Sequence, residues 1–131
     1  MAILTDRNYV DKAEKAIKQL VRDDRNGTFL LTTNQLRNLL SLTSSLYDES
    51  KMRPFDELQD KISYLRVQFV YQSGRHSIGG GRFAKFPVKD LVERAEILEC
   101  LKEVTDIETL QRFCRYMEAL VAYFKYEGGK D

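Results

Sequence analysis

Two cysteines and one histidine are the only thiol and imidazole side chains in this 131-residue chain. Cys100, Cys114 and His76 are too scattered to supply a ligand cluster, which argues against a metal site. Each cysteine falls on or beside an apolar helical stripe, so both read as reduced, buried thiols of a cytosolic protein. No uncharged apolar run approaches membrane-spanning length. The start Met1, Ala2, Ile3, Leu4, Thr5, Asp6, Arg7 is too short and too soon charged for a signal peptide. A cytoplasmic protein without a membrane partner is expected. A catalytic histidine needs an orienting carboxylate and a nucleophile, and His76, between Arg75 and Ser77, has no such assembly nearby. Asp56, Glu57 and Asp60 suit a solvated helix start favoured by the macrodipole better than a carboxylate dyad. No catalytic residue and no cofactor is assigned, and an enzyme is the least supported class.

Another absence is local. Between Lys61 and Lys89 there is no Asp or Glu, while Lys61, Arg66, Arg75, Arg82, Lys85 and Lys89 are all there. With 21 Lys and Arg against 20 Asp and Glu, the chain carries +1, so this window holds +6 and the remainder −5. Such a division suggests a region kept positive for an anionic partner. The window begins as a helix whose seam is Phe55, Leu58, Ile62, Leu65 and Phe69. One position back runs a second row, Lys61, Tyr64, Gln68, Tyr71 and Arg75, which pairs cations with hydrogen-bonding aromatics. Phosphate backbones suit that mixture.

The segment Gly74 to Pro87 reads as a mobile basic arm. Gly74 and Gly79 match the first and sixth positions of GxxxxGK(S/T), but Gly80 and Gly81 occupy the Lys and Ser/Thr positions, so a nucleoside-triphosphate site is not expected. The segment is either a plain helix connector or a loop that orders on a phosphate backbone through Arg75, Arg82 and Lys85.

Length and an apolar fraction of 43% fit one compact domain, residues 1–131. Thr5 is placed to cap a first helix over about Asp6 to Arg22, with Val10, Ala13, Ile17 and Leu20 inward. Asp24 to Gly27 is a turn, and Phe29 to Leu31 an apolar link or a brief strand. Thr32 or Thr33 caps a second helix to about Tyr47, with Leu36, Leu39, Leu40, Thr43 and Leu46 inward and Arg37, Ser41 and Ser44 on another side. Pro54 opens the third helix, which should stop near Gly74. Pro87 opens a fourth with a seam from Val88 to Leu101. Thr105, with Glu108 in a capping box, begins a fifth. That last helix turns Leu110, Phe113, Cys114, Met117, Leu120, Val121 and Phe124 inward, with Arg112, Arg115, Tyr116 and Tyr123 on other faces. The class is all-α, a single bundle of about five helices.

Three segments carry a resemblance: TTNQLRNLLS (Thr32 to Ser41), YLRVQFVYQSGR (Tyr64 to Arg75) and RFCRYMEALVAY (Arg112 to Tyr123). In this order they resemble the small subunit of the type III-A CRISPR effector, the Csm complex, over nearly the whole chain. The resemblance implies a non-catalytic helical bundle stacked in several copies beside the backbone subunits that hold the guide RNA. It implies contacts with the sugar-phosphate backbone of guide RNA and paired target RNA, and with the backbone subunit, the large subunit and further copies of itself. The basic positions in the matching segments are Arg37, Arg66, Arg75, Arg112 and Arg115. Lys51, Arg53, Arg82 and Lys85 join them as RNA-binding candidates from charge and location alone. Sequence recognition would then rest with guide–target pairing while the protein reads backbone and duplex shape. The rival reading is a protein-interaction bundle whose basic window meets an acidic protein partner.

Overall fold

Capping boxes set the starts of the two longest helices. A computed structural model describes residues 3–23, 25, 27–75 and 85–129, and the order is α1 (Tyr9–Lys18), α2 (Thr33–Ser50), a 3-10 turn (Phe55–Glu57), α3 (Gln59–Arg75), α4 (Pro87–Arg94), α5 (Ile97–Lys102) and α6 (Ile107–Tyr126). The class is all-α, as the periodicity predicts. Thr32 caps α2 by a complete box: its Oγ1 accepts from the Gln35 amide at 3.1 Å, and Gln35 Oε1 accepts from the Thr32 amide at 2.9 Å. Thr5 makes the same reciprocal pair with Asn8 (3.1 and 2.7 Å), but around the turn that precedes α1. The helix proper therefore starts three residues later than Asp6, and Val10 stands exposed while Ala13, Ala16, Ile17 and Leu20 are buried.

Four further expectations change. The expected fourth helix is two helices, because Glu96 takes a left-handed backbone (φ 54, ψ 40). At this break the Ala95 carbonyl accepts the Tyr116 hydroxyl at 2.8 Å. Tyr116, expected on an outer face, is thus fully buried. The cap of the last helix is Asp106 rather than Thr105, and the box partner is Thr109 rather than Glu108: Asp106 Oδ1 accepts from the Thr109 amide at 2.8 Å, and Thr109 Oγ1 accepts from the Asp106 amide at 3.1 Å. Pro54 caps the 3-10 turn, so α3 begins only at Gln59.

The core forms around α6, which packs chiefly on α1 and α2, while α3 packs chiefly on α4. Leu110, Phe113, Cys114, Tyr116, Met117, Leu120 and Phe124 are all buried, and each large side chain removed from water contributes about 1.5–3 kcal/mol. The Phe69 and Phe113 rings meet edge to face at 6.2 Å, tying α3 to α6. The link between α1 and α2 doubles back at Gly27 (φ 71), pairs Arg22 with Phe29 as a single antiparallel bridge, and sets the Phe29 ring 4.9 Å from Phe124. The brief strand left open for this link is no more than that bridge. At the far end of α6 an added Cβ on Gly129 would collide with the Phe124 ring, so the chain turns there only as glycine. Cys100 and Cys114 are free and buried, and burial pushes both thiols up to about 12. Among the described residues no helix is long and apolar enough to cross a membrane.

Candidate nucleic-acid interface

The predicted cations divide into those held by carboxylates and those left in water. Arg112 belongs to the first group. Its side chain is only 16% exposed; Nε donates to Asp6 Oδ1 at 2.9 Å and Nη2 to Glu108 Oε1 at 3.4 Å. This guanidinium, hydrogen-bonded and charge-paired, holds the Asp6 carboxyl below its usual value. Arg112 thereby fastens the N-terminal segment to α6, a bracing role through Asp6 and Glu108. Arg53 lies 3.5 Å from Glu57, one helical turn on. Lys61, in the acid-free window, donates to Glu49 across the α2–α3 connection.

Arg37, Arg66, Arg75, Lys85 and Arg115 form the second group. All are exposed, and none makes an ion pair among the described residues. Lys51 is exposed with its Nζ 4.6 Å from the Tyr47 ring centre, and Arg75 stands 6.0 Å from that of Tyr71. Arg82, His76 and the glycines Gly79, Gly80 and Gly81 lie outside the described residues. The two serines beside Arg37 are satisfied by their own helix: Ser41 Oγ donates to the Asn38 carbonyl at 2.8 Å and Ser44 Oγ to that of Leu40 at 3.1 Å.

The Lys61–Glu49 pair ties the end of α2 to the start of α3, with Arg37 in the first half of α2 and Arg75 at the end of α3. Lys85 precedes α4, on the wall of a cleft of about 270 Å³ shared with Val21, Leu30, Phe86, Lys89 and the carboxylate residues Asp90 and Glu93. Arg66 and Arg75 are nine residues apart on one helix, about half a turn out of phase, so they flank the exposed side of α3 rather than share an edge. Arg115 projects from α6, away from this group in the chain order and exposed.

On the exposed side of α3 the sequence reading noted Tyr64 and Tyr71 but overlooked Val67 and Val70. Tyr64, Val67, Val70 and Tyr71 are all exposed large apolar residues. Val67 and Val70 belong neither to the buried seam nor to the polar row, and that misfit was the available signal. Among the described residues no three His, Cys, Asp or Glu side chains stand together as a metal site requires.

Comparison with known proteins adds the lineage. A family model described as Csm2 Type III-A matches residues 7–130. A Streptococcus thermophilus protein named "CRISPR system Cms protein Csm2" is 66% identical over the full length of both chains. Proteins of the same name are similar in Mycobacterium tuberculosis (strain CDC 1551 / Oshkosh), at 46% identity over 100% of this chain and 99% of the relative, and in Enterococcus italicus, at 30% over 94% and 89%. Matched along almost every residue and at full length, this chain belongs to the Csm2 family of type III-A CRISPR systems.

Proposed function

We propose that this chain is the non-catalytic small subunit of a cytoplasmic type III-A Csm interference complex, binding the sugar-phosphate backbone of guide RNA and its paired target. The observation that carries the reading is the set of exposed cations without carboxylate partners among the described residues, in a chain of this family. An unpaired guanidinium in water gives up little when it meets phosphate, whereas one already bonded to carboxylates must break those bonds first. Arg37, Arg75, Lys85 and Arg115 therefore lead the assignment. Lys51 and Arg66, the latter about half a turn away from Arg75 on α3, follow, and Arg82 joins them by charge. Arg53, beside Glu57, and Arg112, held by Asp6 and Glu108, come last. Backbone contacts of this kind position the protein without reading bases.

The test is a salt titration of RNA retention by the reconstituted complex. A backbone binder loses affinity linearly in log salt, with a slope of about −0.7 to −0.9 per phosphate neutralised. A chain with Arg37, Arg75 and Lys85 all changed to Ala should bind more weakly, with a slope shallower by about 2–3 if each meets one phosphate. Equal retention and an unchanged slope would refute the assignment.

A further inference from the structure

The exposed side of α3 has the anatomy of a protein interface. Tyr64 (63% exposed), Val67 (59%), Val70 (55%) and Tyr71 (62%) crowd fewer than three turns of helix. At about 100° per residue, Val67, Val70 and Tyr71 straddle the direction opposite the buried Leu58, Leu65 and Phe69. Ser63 and Gly74 lie along the same ridge, small enough to let another surface come close. Arg66 borders one edge, and Tyr64 with Arg75 the other. An apolar centre with a polar rim is how protein contacts are built, and contiguous exposed apolar patches mark them. Valine gives a phosphate backbone nothing, so the ridge itself does not suit RNA.

We infer that this face of α3 docks a different protein subunit, by an apolar surface bearing at least one carboxylate opposite Arg66. Charge selects the partner. From Lys61 to Arg75 the helix has no acid, and Arg66 has no ion pair among the described residues, so a cationic neighbour is repelled and an acidic one is drawn in. A second copy of this chain fits poorly. Two α3 faces placed together would set four arginines against only two carboxylates, those of Asp60 in the first turn of each helix, and the other exposed large apolar residues, Val10, Met52, Phe86 and Tyr126, are scattered over separate elements. The inference rests on the proposed membership of a multisubunit complex. It makes α3 a boundary, with the Arg75 edge towards RNA and the ridge with Arg66 towards protein.

The experiment replaces Val67 with a photo-crosslinking amino acid in the reconstituted complex and maps the adduct by mass spectrometry, with and without nuclease digestion. The expected adduct is a peptide of another subunit, formed in both samples. In parallel, Val67→Asp and Arg66→Glu should each lower incorporation into the nuclease-treated complex at least 10-fold, with the circular dichroism of the isolated chain unchanged. An adduct to RNA, to a second copy or within the same chain overturns the inference, as does undiminished incorporation of both variants. Loss of the RNA reading would appear separately, in the salt slope, and would leave these protein adducts in place.

Discussion

α3 and α6 are helices of similar length, 17 and 20 residues, and both are furnished with arginines and tyrosines. Arg115 and Tyr126 of α6 are exposed, as on α3, but Tyr116 and Arg112 meet a different fate. On α6 the Tyr116 hydroxyl is spent on a backbone carbonyl and Arg112 on two carboxylates. On α3 Tyr64 and Tyr71 stand in water, and Arg66 has no carboxylate partner among the described residues. Residue type does not separate these outcomes. Position does: α6 is wrapped by α1 and α2, whereas α3 lies against α4 and leaves its far side uncovered. One helix holds the bundle together, and the other carries what the bundle presents.

Truncation should expose the contrast most strongly. Phe113 is 1% exposed and meets Phe69 edge to face, so Phe113→Ala should cost about 3–5 kcal/mol in urea unfolding. A cost below about 1 kcal/mol would mean that α6 is not the core helix. Tyr116→Phe keeps the ring and deletes one hydroxyl. It leaves the Ala95 carbonyl unpaired at the α4–α5 break, where Glu96 already holds a left-handed backbone, and should cost about 1–3 kcal/mol. Unchanged stability would show that this bond does not hold the break in place.

The Arg112–Asp6 pair gives a pH signature. Arg112 lowers the Asp6 pKa from 3.8, so the folded state favours the carboxylate. The stabilisation is fully present above the unfolded value and is lost as pH falls through the folded one, that is, below 3.8. Wild type and Asp6→Asn should therefore differ in stability by a constant amount from neutral pH down to about 4 and converge below it. Parallel curves throughout the acid range would dissolve the pair, and with it the reason to rank Arg112 last among RNA contacts.

The sequence carries most of this fold because its helices are amphipathic at a regular spacing. The α3 seam and the α2 inward set are local patterns, legible without knowing any neighbour. The exceptions depend on contacts distant in sequence. Nothing near Glu96 announces a left-handed residue, and the break matches a hydroxyl 21 residues away from Ala95. The sequence pattern sets the α6 cap at Thr105, but Asp106 is as good a cap, and it is the Asp106 carboxylate that accepts from the Thr109 amide. For the same reason the cations were visible as charges but not as paired or unpaired. Asp6 and Arg112 are 106 residues apart, and no spacing rule joins them.

The smallest effect is the most telling about α3. Val67 and Val70 sit in mid-helix and in water, where β-branched side chains lose rotamer freedom without burying surface in return. By helix propensity each is a worse choice than Ala by about 0.5 kcal/mol. Val67→Ala and Val70→Ala should accordingly leave the isolated chain as stable as wild type or slightly more so, by up to about 0.5 kcal/mol each in urea unfolding. The same residues that weaken the helix alone would strengthen it in the complex, since burial against a partner contributes about 25 cal/mol per Å² of apolar area. A loss above about 1 kcal/mol in the isolated chain would mean that the ridge is already packed within the monomer, and the difference between the two helices would disappear.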